Sequence, residues 1–203
     1  MRERPGNQQP KPIEGRLAEI ATAARELIAE RGFEGLRTRD IAARVGINIA
    51  TLHYHVPTKE ALIELVARSL RDDFARQNVT RPREGLDAVE LLKAEFEDFR
   101  ENMVDRPQIF VVMAELQERA RRDAKVAAVL APMRGYAFRE YTRIMRKGRD
   151  EGQFRPDVDP EAAALMVHGA MIATQHVPEP STEKFERTCA ELLRALLVRA
   201  PDS

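Results

Sequence analysis

No stretch of this chain alternates apolar and polar residues with a period of two, whereas apolar residues recur at spacings of three and four almost throughout. That pattern argues against a sheet protein and predicts an all-α fold of about nine helices. Composition agrees with it. Ala, Leu, Arg and Glu dominate the 203 residues, Trp is absent and aromatics are 5%. These are strong helix formers. With 43% hydrophobic residues, the chain has enough apolar material for a packed core.

The first helices are short and sharply punctuated. Ile13, Leu17, Ile20, Ala24, Leu27 and Ile28 form one stripe of a first helix, which Gly32 is expected to stop. Thr38 is read as the N-cap of a second helix, with Asp40 in its first turn and Ile41, Ala42 and Val45 facing inward. Gly46 ends that helix, Asn48 caps a third over Ile49 to His55, and Pro57 breaks it before Thr58 caps a fourth. Two short helices across a tight turn make a helix-turn-helix, whose second member can lie in the DNA major groove.

The groove-entering helix needs short polar or methyl-bearing side chains near its start. Asn48, Ile49, Ala50 and Thr51 meet that need. An amide can bond base edges, and Thr or Ala methyls can pack on thymine methyls. Tyr54, His55 and Lys59 follow at spacings suited to phosphate contacts. The backbone N–H groups of Thr38 and Arg39 offer a second phosphate clamp at a helix N-terminus. His53 and His55, two apart on a helix, point to different faces and do not read as a metal pair.

The ungapped run from Thr38 to Leu62, together with Ala24, Leu27, Ile28, Arg31, Gly32, Phe33 and Gly35 upstream, resembles the DNA-binding region of the TetR family of transcriptional repressors. Three positions depart from the usual pattern. His53 stands where the family usually has Tyr, Val56 where it often has Phe, and Asn48 where the turn usually has Ser. His53 keeps a ring and hydrogen bonding and joins the expected DNA contacts. The resemblance implies a homodimer that binds a palindromic operator and is released by a small ligand. Residues 1–12, with their charges, Asn, Gln and prolines, read as a disordered tail; the resemblance implies a helix-turn-helix domain over 13–57 and a helical effector-binding and dimerisation domain over 58–203.

Beyond the head, a long fourth helix is expected to run to about Asn78, roughly 30 Å. Helices over Leu86 to Asp105, Ile109 to Arg122 and Val126 to Gly152 follow, with Pro132 kinking the last or lying near its true start. Phe74, Phe96, Phe99, Met103, Phe110, Met113, Met133, Tyr136, Phe138, Tyr141 and Met145 come from four successive helices. Such a set can enclose a mostly apolar ligand pocket, with His168 as a polar contact. Asp159 and Pro160 open an eighth helix that is apolar nearly all round, and so must be covered on more than one side. With the final helix it supplies the expected dimer interface: Leu165, Met166, Gly169, Ile172, Phe185, Leu192, Leu193 and Leu196.

Other functions find little support. There is no phosphate-cradling Gly loop, no HExxH, no Cys/His ligand set and no recognisable Ser–His–Asp arrangement, so an enzyme, a metal site or a cofactor is not expected. Cys189 is the single cysteine, and Met1 to Pro12 lacks the apolar run of a signal peptide, so a cytoplasmic location is expected. The chain carries 33 basic and 33 acidic residues, which excludes a uniformly basic DNA coat. Residues 37–59 nevertheless hold four basic residues against one acidic.

Overall fold

The computed structural model describes residues 15–80 and 82–198. The expected tail over 1–12 and Ile13 lie outside these. Nine helices form among the described residues: α1 (Arg16–Gly35), α2 (Thr38–Val45), α3 (Ile49–His55), α4 (Lys59–Thr80), α5 (Ala88–Asp105), α6 (Gln108–Ala120), α7 (Ala124–Asp150), α8 (Pro160–Ala173) and α9 (Thr182–Leu196). The fold is all-α, and an isolated antiparallel bridge joins Phe154 to Leu197. No described helix is long and apolar enough to cross a membrane.

Two compact units divide at Arg76 and Gln77. The sequence pattern places the end of the head at residue 57. Most of α4 instead belongs with the N-terminal unit, because its first half is a core element: Leu62, Ile63, Leu65, Val66, Ala67 and Leu70 are all buried.

In the N-terminal unit, Ile20, Ala24, Leu27, Ile28, Phe33, Ile41 and Leu52 are buried. Gly32 breaks α1 where the sequence places its stop. Its φ of 67° and ψ of 175° interrupt the helix, and one more turn follows to Gly35. The cap of α2 differs from expectation. Arg37 is the extended residue before the helix, and Thr38 is already helical, so its hydroxyl has no capping role. Polar ties then fix the helices. Arg44 reaches back from α2 to Glu30, at 2.8 Å, and to Glu26, at 3.3 Å. Arg25 of α1 pairs with Asp73 of α4 at 2.6 Å.

The C-terminal unit closes over Leu91, Leu92, Phe96, Tyr141, Ile144, Met145, Phe154, Val167, Met171 and Phe185. Of α5 to α9, all but α6 start on side-chain caps. Asp87 and Glu90 form a reciprocal capping box on α5. Asp123 caps α7, Asp159 caps α8 and Ser181 caps α9. Pro132 lies inside α7, exposed, and is not the helix start. Gly148 is required by a close approach, since a Cβ there would sit 2.2 Å from the ring of fully buried Phe154. The residues around Phe154 are pinned in turn, with Arg155 N donating to Leu196 O at 2.8 Å.

Candidate nucleic-acid interface

The turn between α2 and α3 follows from two residues. Gly46 takes a left-handed conformation, φ 73° and ψ 34°, and Ile47 N bonds back to Ala42 O at 2.9 Å. Asn48 then caps α3, its Oδ1 accepting from Thr51 N at 2.7 Å. Asn48 therefore has its amide oxygen engaged and its Nδ2 donor available.

The seven residues of α3 sort cleanly by face. Leu52 and, just past the helix end, Val56 are buried and dock it on the head. Ile49, Ala50, His53 and Tyr54 are exposed on the opposite stripe, and Tyr54 is 84% exposed. Thr51 and His55, one turn apart, are half-buried at the flank. The Tyr54 and His55 rings meet edge-on, with centroids 5.2 Å apart. Asn48 and Lys59 are exposed, as are Thr38 and Arg39. No side chain caps α2, and the Arg37 carbonyl takes only the Asp40 and Ile41 N–H groups, leaving those of Thr38 and Arg39 at an uncapped helix start.

The positive charge of the head is smaller than its residue count implies. The Arg44 hydrogen bond holds the Glu30 carboxyl below its usual range and raises the Arg44 guanidinium. That arginine braces α2 on α1. Arg31 and Arg39 both lie near Asp40, at 3.3 and 3.5 Å.

The expected effector residues are distributed unevenly. Phe96, Tyr141 and Met145 are buried in the C-terminal core, with Phe99 and Met103 packed against it. Phe99 stacks on Phe185 at 5.3 Å and tilts on Phe110 at 4.9 Å. His168 lies 5.4 Å from the Tyr141 ring, and burial lowers its pKa. Met113 and Met133 are half-buried, while Tyr136 and Phe138 are exposed. Phe74 belongs to the N-terminal unit. A recess of about 130 Å³ is lined by Arg155, Val158, Ala162, Met166, Val167, Leu192 and Leu196, and one of about 50 Å³ by Thr22, Arg25, Ser69 and Asp73. The expected pocket residues line neither.

Of the expected dimer residues, Leu165 and Met166 are each 65% exposed and Gly169 is exposed. Ile172, Leu192 and Leu193 are half-buried. Phe185 and Leu196 do not fit the expected interface. Both are buried in the core of their own protomer and present almost no surface to a partner. A polar set around Arg83, Glu95, Asp98 and Asn102 was missed. In sequence, its members at spacings of three and four read like any solvated helix face.

This geometry defines a helix-turn-helix DNA-binding protein. Residues 20–66 match bacterial regulatory proteins of the tetR family. The chain is 27% identical over 167 residues to the HTH-type transcriptional repressor KstR2 of Rhodococcus jostii, covering 73% of this chain and 72% of that one. It is 28% identical over 180 residues to the HTH-type transcriptional regulator UidR of Escherichia coli K12, covering 88% and 89%. Its fold is similar to that of AibR in complex with isovaleryl coenzyme A and operator DNA, with TM-score 0.73, 23% identity and coverage of 90% and 98%. Residues 20–66 thus carry the DNA-binding domain of the tetR family, and the chain is similar to transcriptional regulators of that kind over most of its length.

Proposed function

We propose that this regulator is a repressor that binds a palindromic operator as a homodimer and is released by a small, mostly hydrophobic effector. The observation that carries the reading is α3 itself. Buried Leu52 and Val56 hold a helix whose opposite stripe is open, on a turn fixed by Gly46 and Asn48. In this reading Asn48, Ile49, Ala50 and Thr51 meet base edges. His53, Tyr54, His55 and Lys59 meet phosphates, together with the N–H groups of Thr38 and Arg39. The Asn48 Nδ2 takes no part in the cap, and as a donor it suits base acceptors such as guanine O6 or N7.

The helices α1–α3, backed by the first half of α4, form the reading domain, and the unit from Gln77 onward carries effector binding and dimerisation. Exposed Leu165, Met166 and Gly169 of α8 support a dimer through α8 and α9, flanked by Ile172, Leu192 and Leu193. A two-fold dimer sets the two α3 helices about one DNA turn apart, roughly 34–36 Å. The aromatic core around Phe96, Phe99, Phe110 and Tyr141 supports an apolar effector region, and AibR is a relative in fold that holds both a ligand and operator DNA. An effector releases DNA only through a differential affinity for the two states. Such a protein acts beside the chromosome, in the cytoplasm.

Selection of bound DNA from a random pool tests the reading. A palindrome is expected, and its absence, or no enrichment, refutes it. Sedimentation of Leu165→Glu should show monomer where the native chain shows dimer.

A further inference from the structure

The C-terminal unit holds a polar stripe inside its apolar core. On α5, Glu95, Asp98 and Asn102 follow at spacings of three and four, which places them along one side of the helix. All are largely buried, and Asn102 is only 4% exposed. Gln77 reaches the stripe. Its Nε2 donates to the Asp98 carbonyl at 3.1 Å and to the Glu101 carboxylate at 3.3 Å, and its Oε1 accepts from Asn102 Nδ2 at 3.0 Å. Arg83 lies between α4 and α5. Its Nη2 pairs with Asp98 and is 3.3 Å from Glu95.

This network fixes the orientation of both amides. The nitrogen of Gln77 faces two oxygens, so its oxygen faces Asn102, and Asn102 must turn its nitrogen toward Gln77. The Asn102 Oδ1 is thereby left buried without a hydrogen-bond partner, as are Nε and Nη1 of Arg83. A third group is poorly matched. The Tyr141 hydroxyl is buried with the Met171 thioether, at 3.6 Å, as its acceptor. Buried polar groups in native proteins are seldom left open in this way, and such exceptions call for a partner.

The charges define that partner. Arg83 is matched by Asp98, and burial shifts the neighbouring Glu95 carboxyl toward its neutral form, so the stripe has no full uncompensated charge to offer. A ligand carboxylate would meet the Asp98 carboxylate and the Glu95 carboxyl, and a ligand cation would meet the guanidinium. A neutral group that can both donate and accept suits Asn102 Oδ1 and the open N–H groups of Arg83. Phe96, Phe99 and Met103, interleaved with the stripe on α5, surround it with apolar surface. We infer that Asn102 and Arg83 are the polar anchor of an effector site for a neutral, mostly apolar molecule bearing a hydroxyl or primary amide. The inference rests on the reading of this unit as effector-binding and names the chemistry it accepts.

Four eight-carbon probes test it by calorimetry on the full chain: 1-octanol, octanamide, octanoate and octylammonium. The two neutral probes are expected to bind about tenfold tighter than the two charged ones. Asn102→Leu should abolish that preference while the chain still melts cooperatively and still shifts its selected operator. Should Asn102→Leu fail to fold, Asn102→Asp, of equal size, should turn the preference about tenfold toward octylammonium. Equal binding of the four probes, no binding by any, or a preference indifferent to both variants overturns the inference. So does a crystal structure grown with octanamide in which only ordered water meets Asn102 Oδ1. Probe binding that depends on Asn102 but leaves the operator bound keeps the site and removes the release mechanism. Release that is indifferent to Asn102 does the reverse.

Discussion

The two units of this chain place their distinctive side chains oppositely. In the N-terminal unit the apolar framework is inside, and Ile49, Ala50, His53 and Tyr54 stand outside. In the C-terminal unit the groups of interest turn inward: Tyr141 and Asn102 are buried, and the Arg83 and His168 side chains are largely shielded. An exposed reading surface can be altered without touching stability, whereas a buried site cannot. Mutations should therefore separate binding from stability in the first unit and mix them in the second.

The largest effect should come from the buried side. Phe154→Ala removes a fully buried ring that packs on Gly148 and should lower unfolding free energy by about 3–5 kcal/mol in urea titrations. A loss under 1 kcal/mol would break the contrast. Glu95 comes next. Burial pushes its carboxyl from the ordinary 4.5 up to about 7. Below pH 4.5 both folded and unfolded chains hold the proton, and the group makes its full contribution. As pH rises through about 7 the buried carboxyl ionises and that contribution is lost. Stability should therefore fall between pH 5 and 8 by something on the order of 2 kcal/mol, and Glu95→Gln should flatten the profile. A native profile that is already flat would contradict the burial of this group.

The exposed side should give smaller and cleaner effects. Thr51→Ala and Tyr54→Ala should each weaken operator binding by about 1 kcal/mol with an unchanged melting temperature. Thr51→Ala should relax sequence preference, while Tyr54→Ala should weaken all sites alike, as gel shifts on mismatched operators will show. The smallest difference lies in salt dependence. Lys59→Ala should reduce the slope of log affinity against log salt by about one per protomer. Arg44→Ala should leave it unchanged, because Arg44 is engaged by Glu30 and Glu26.

This contrast also explains what could be read from sequence. Gly46, Asn48, Thr58 and Asp159 act within four residues of themselves, and the structure uses each as its local chemistry dictates. Arg37 displaced Thr38 as the cap of α2 because the extended conformation falls one residue earlier, which residue type alone does not reveal. Phe185 and Leu196 shared one apolar face with Leu192 and Leu193, and only tertiary packing separates the buried from the half-buried members. Asn102 was illegible for a similar reason. A polar residue one turn from Asp98 signals a solvated face until Gln77 and Arg83 close over it.

Asn48 carries a consequence for how this head can evolve. Its side chain ends the turn and starts α3 by accepting from Thr51 N, and in the proposed complex the same side chain offers a donor to a base. Grammar and vocabulary thus share one residue. Drift in operator preference at this position is confined to residues that also cap a helix, chiefly Ser, Thr, Asp and Asn. Asp would bring a negative charge against phosphates. The accessible dialects then reduce to two hydroxyls and an amide, a narrow path along which paralogous heads could diverge without losing their fold.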